Sequence, residues 1–124
     1  MARERMKSME YSSAHRLAND IRASQEYQTY HALKEEVMGN DTNAALIREY
    51  KKLQVTLSMA SMTGQQPDET DMQRFQGITQ VLFTQPQVQQ FLLAEMQLQQ
   101  AVSDIFRIVS QAADLDMDLP GLNG

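Results

Sequence analysis

The stretch that decides the fold runs from Pro86 to Ala112, PQVQQFLLAEMQLQQAVSDIFRIVSQA. Proline suits the first position of a helix, where its missing N–H would have no partner anyway. From Val88 onward a heptad seam follows, with Val88, Glu95, Val102 and Val109 in one register and Phe91, Leu98, Ile105 and Ala112 in the other. Seven of these eight positions are apolar, and Glu95 is the exception. Leu92, Ala94, Ala101, Phe106 and Ile108 flank the seam, whereas the far side (Gln89, Gln90, Gln97, Gln100, Asp104, Arg107, Gln111) is polar apart from Leu93 and Met96. The apolar arc covers about half the circumference, more than the roughly 100° stripe of a helix lying on one surface, so this helix is expected to touch two neighbours. At about 1.5 Å per residue it spans on the order of 40 Å, longer than a compact four-helix domain of this mass requires.

Working outward, the same period recurs. Asp68 has the chemistry of an N-cap, with Glu69 and Asp71 in the first turn where the helix dipole favours negative charge; the stripe Met72, Phe75, Ile78, Val81 and Leu82 predicts a helix to about Phe83. Upstream, Leu46, Ile47, Tyr50, Leu53, Leu57 and Ala60 keep steps of three and four, which predicts a helix opened by Asp41 or Thr42 and closed near Thr63-Gly64. The first helix should start at Ser12 or Ser13, either able to cap, and run to Met38, where Gly39-Asn40 predicts a left-handed stop. Its stripe (Ala14, Leu17, Ala18, Ile21, then Tyr27, Tyr30, Leu33, Val37) drifts midway, so a bend is expected near Ser24–Gln28. The short Gly39 to Thr42 connection predicts an antiparallel hairpin. The expected fold is all-α, with long antiparallel helices forming an elongated hairpin or bundle: a flexible N-terminus over 1–12, one helical domain over 13–113, and a flexible acidic tail over 114–124.

A chain of 124 residues forms a thin core, which in a helical protein a second subunit often completes, so a homodimer is expected. Without cysteine there is no disulfide framework, thiolate metal site or cysteine nucleophile, which suits a reducing cytoplasm. The opening MARERMKSMEYSS lacks an apolar leader segment, and no run approaches about 20 apolar residues, so neither export nor a membrane span is expected. Net charge is −5, distributed unevenly: residues 1–62 carry nine Lys or Arg against eight Asp or Glu, and 63–124 carry two against eight. No uniformly basic face is available for a phosphate backbone, and the Arg3, Arg5, Lys7 cluster reads as a solvated terminus, so direct nucleic-acid binding is not expected.

Residues that could carry chemistry are few. His31 and Glu35 share a helical face at metal-ligand spacing, but a carboxylate-bridged site in a bundle needs Glu-x-x-His motifs on two helices, and only His15 and His31 exist. Glu95 in the seam calls for a cation or hydroxyl from another helix, and no second carboxylate or His is placed beside it for acid–base work. Phosphate loops, Ser-His-Asp arrangements and dinucleotide fingerprints are absent. No catalytic residue, cofactor or metal is therefore expected. The expected functional surface is an interface of Val88, Phe91, Leu92, Glu95, Leu98, Val102, Ile105 and Val109.

The set Leu17-Ala18, Ile21, Ser24-x-Glu26-Tyr27, then Gln54 with Met62-Thr63-Gly64, then Pro86-x-Val88, Phe91-Leu92-x-Ala94-Glu95-x-x-Leu98 and Ile105-x-x-Ile108 resembles the YlbF/YmcA family of bacterial regulators, its YheA-like branch included, over roughly residues 14–112. The resemblance implies long antiparallel helices, dimerisation and no enzymatic activity. It also implies regulation: YlbF/YmcA members act in a complex that influences competence, sporulation and biofilm development and works with the ribonuclease RNase Y in RNA processing. Such members can hold an iron–sulfur cluster through cysteines, which this chain lacks. The expected role is a regulatory adaptor acting through protein contacts; the alternative is a helical carrier that takes an apolar ligand into the bundle.

Overall fold

The computed structural model describes residues 7–116, and these form five helices: α1 Ser12–Ala23, α2 Gln25–Met38, α3 Asp41–Met62, α4 Glu69–Phe83 and α5 Pro86–Ala112. Residues 1–6 and 117–124 lie outside the described part, and with them Arg3, Arg5 and most of the acidic tail. Among the described residues there is no strand, as the all-α reading requires.

The expected first helix is two helices. Ser24 adopts an extended conformation (φ −71°, ψ 153°) that ends α1. Its hydroxyl donates to the Ile21 carbonyl at 2.6 Å and accepts from the Tyr27 amide at 3.2 Å, serving the end of one helix and the start of the next. The bend expected over Ser24–Gln28 is thus a full break at its first residue. Three smaller expectations are corrected. Neither Ser12 nor Ser13 caps α1: its N-cap position is Tyr11, with no side-chain hydrogen bond. The cap of α3 is Asn40, whose Oδ1 accepts from the Asn43 amide at 3.0 Å, rather than Asp41 or Thr42; this leaves Asp41 in the first turn, favourably placed for the helix dipole. Gly39 is right-handed at φ −70°, not left-handed, and glycine is required there because a Cβ would lie 2.7 Å from the Glu35 carbonyl oxygen. The left-handed turn falls instead at Gly64, φ +75°. The remaining ends match the reading: Asp68 caps α4 by accepting from Thr70 and Asp71, and Pro86 opens α5.

Val37, Ile47, Leu82, Val88 and Phe91, each no more than 2% exposed, form the core. Tyr30, Leu33, Met38, Leu46, Tyr50, Ile78 and Leu92 pack around it. Full burial of each large aliphatic or aromatic side chain contributes about 1.5–3 kcal/mol. The packing partners differ from a simple hairpin: α2 lies most extensively along α5 and α3 against α4, whereas α2 and α3 touch less. Tyr30 stacks on Phe91 across the α2–α5 contact with ring centres 5.8 Å apart, and Tyr50 stacks on Phe75 across the α3–α4 contact at 5.2 Å. α1 buries no residue fully and contacts α2 alone among the helices.

Candidate functional site: a groove between α3 and α5

The Cα traces of α3 and α5 stay more than 8 Å apart, and a groove of about 610 Å³ separates them. Two polar contacts fix its width. At one end Asn43 of α3 and Gln85, the residue before α5, exchange amide hydrogen bonds of 3.0 and 2.9 Å. Further along, Lys51 Nζ donates to Glu95 Oε2 at 2.6 Å, with the Glu95 side chain 16% exposed and that of Lys51 42%. The ammonium also sits 5.8 Å from the centre of the Phe91 ring, so the pair rests on the core. Glu95 interrupts an apolar seam and is matched there by a cation from another helix, as a poorly solvated carboxylate must be.

Tyr50, held between Phe75 and Phe83 (centres 5.2 and 6.1 Å away), forms one wall of the groove. Leu92, Leu93 and Met96 form the other, and Gln54, Gln89, Gln90 and Gln99 supply the rim. Met96 is 60% exposed and Leu93 52%. Chemically the lining offers one carboxylate and one amine, bound to each other, with no imidazole or thiol. His31 Nε2 lies 3.2 Å from Glu35 Oε1, its ring stacked on Tyr27, and no third His, Asp or Glu joins them among the described residues.

The expected interface residues divide. Val88 and Phe91 belong to the chain's own core at 0% and 2% exposure, and Leu92 packs against it. Leu98, Val102 and Ile105 are half-buried, while Val109 is exposed. The groove brings Leu92 and Glu95 together with residues outside the expected set: Tyr50, Phe83, Leu93 and Met96. Leu93 and Met96 left one trace in the sequence, as the two apolar residues on the otherwise polar side of the last helix. Tyr50 and Phe83 left none, because a stripe position and a helix-end aromatic fit ordinary core equally well.

These features define an all-α protein whose helices flank an apolar groove closed by a single ion pair. The chain belongs to the family described as control of competence regulator ComK, YlbF/YmcA, which matches residues 11–113 and so covers all five helices. It is similar to proteins named UPF0342: 29% identical to one of Caldicellulosiruptor saccharolyticus over 90% of this chain and 93% of the relative, and 27% identical to one of Symbiobacterium thermophilum over 86% and 96%. A UPF0342 protein of Streptococcus pneumoniae is 27% identical over 80% of this chain and 88% of its own. The family is one of regulators by its description, and no helix among the described residues is long and apolar enough to cross a membrane.

Proposed function

We propose that this protein is a non-catalytic regulatory adaptor that works as a cytoplasmic homodimer through protein contacts, with α5 supplying much of the interface. The observation that carries the reading is its surface. The chain exposes 9822 Å², against about 6,700 Å² for a compact monomer of 14.1 kDa. The difference is about 3,000 Å². That is more than one partner's share of a standard interface, about 800 Å². An extended bundle that hides part of this excess against a second subunit is in keeping with it.

The family membership supports a regulatory role, and by resemblance the targets are those of the YlbF/YmcA complex: competence, sporulation, biofilm development and RNase Y-linked RNA processing. Any cluster ligands in such a complex come from other subunits, since this chain has no cysteine. Size-exclusion chromatography with light scattering tests the dimer, with a mass of about 28 kDa expected, twice the 14.1 kDa chain. Capture of purified RNase Y on the immobilised protein tests the pathway. A mass of one chain at tens of micromolar refutes the dimer, and failure to retain RNase Y refutes that link. The groove volume of about 610 Å³ also falls in the range of small-ligand sites, roughly 300–1,000 Å³, and favours a carrier of an apolar ligand as the second reading.

A further inference from the structure

We infer that the α3–α5 groove, rather than the heptad seam of α5, is the centre of the dimer interface, with a second copy seating its own Leu93–Met96 ridge against it about a twofold axis. The inference rests on the homodimer reading above and assigns the surface.

The first part of the seam is already used: Val88 and Phe91 are fully packed in the chain's own core. Beside that buried part, α5 leaves its other side free. Phe83, Leu93 and Met96, exposed by 41%, 52% and 60%, converge on the groove from two helices. Such convergence marks a contact surface, whereas single exposed apolar residues do not.

Charge selects the occupant. A twofold interface brings a patch against itself, so any net charge is repelled by its own copy. The chain as a whole carries −5. The groove lining carries Lys51 and Glu95, which neutralise each other, and its rim is Gln54, Gln89, Gln90 and Gln99. Each primary amide both donates and accepts, so a glutamine rim meeting its own copy can satisfy itself without an opposite charge on the partner. An acidic or basic partner would find no complementary field here. The area allows it, since the excess surface of the chain is more than one side of a standard interface buries.

Substitution of Met96 decides the matter, because a twofold contact places each introduced carboxylate in the interface twice and strands it in an apolar setting. Met96→Glu and Leu93→Glu are to be compared with wild type and with Met62→Glu, whose side chain is 86% exposed and lies outside the groove. Circular dichroism verifies that each variant is folded, as expected for exposed positions. Light scattering over a dilution series is expected to show wild type and Met62→Glu as dimers, with the dimer Kd raised at least tenfold by either groove variant. As the chain has no cysteine, Met96→Cys and Met62→Cys also provide unique cross-linking sites; a short bismaleimide is expected to join two chains through position 96 and not through position 62.

A wild-type dimer unaffected by Met96→Glu and Leu93→Glu overturns the groove assignment and leaves the homodimer standing. A monomeric wild type overturns the homodimer itself. If that monomer binds an anilinonaphthalene sulfonate probe and Met96→Glu abolishes the binding, the groove is a ligand site and the dimer inference is overturned in favour of the carrier.

Discussion

Removing the cation from the Lys51–Glu95 pair should do more damage than removing the anion. The side chains are unequally placed: Glu95 is 16% exposed and Lys51 42%, at an Nζ–Oε2 distance of 2.6 Å. In Lys51→Met the carboxylate stays in an apolar setting without its partner, and the loss combines a charge-assisted hydrogen bond with the poor solvation of what remains, about 1.5–3 kcal/mol. In Glu95→Leu the lysine swings its ammonium into water while its stem stays packed, and an apolar side chain fills the seam, so the loss is under about 1 kcal/mol. The double variant Lys51→Met/Glu95→Leu leaves no charge unmatched and should recover most of the loss of Lys51→Met. Urea unfolding followed by circular dichroism, at one fixed protein concentration because a dimer's stability depends on it, measures all four proteins. Equal losses in the two single variants, or a double variant no better than Lys51→Met, would show that the pair is a solvated surface contact and that the seam does not constrain Glu95.

Other consequences can be read in the same unfolding assay. Leu82→Ala, at a side chain with 0% exposure, is expected to lower stability by about 3–5 kcal/mol, and a loss below 1 kcal/mol would contradict the core assignment. Asn40→Ala removes the cap of α3 and should lower stability by about 1 kcal/mol, while Asp41→Ala, beside it, should change much less. Gly39→Ala is expected to destabilise by about 1–3 kcal/mol despite its right-handed backbone, because the new Cβ collides with the Glu35 carbonyl. Gly64→Ala meets nothing within 4 Å, so its loss, about 1 kcal/mol, reflects the left-handed φ alone; a crystal structure of each variant should show a shifted helix end only in Gly39→Ala.

The sequence alone determined whatever depends on neighbours along the chain. The span of α5, its opening at Pro86, the Asp68 cap and the end of α3 before Gly64 are all local, since each is settled by hydrogen bonds or sterics within about four residues. The break at Ser24 was legible only as a drift in the apolar stripe, because a serine inside a helix reads the same until its hydroxyl is seen to serve both flanking helices. Tertiary structure alone decided which side of α5 faces inward. Periodicity identifies an apolar arc but not its partner, and packing α2 along α5 drew Val88 and Phe91 into the core, while the separation of α3 from α5 left Leu93 and Met96 exposed beside Tyr50 and Phe83. The same holds for Glu95. Its spacing announced a charge that needed a partner, but Lys51 stands 44 residues away, and only the distance between two helices could select it.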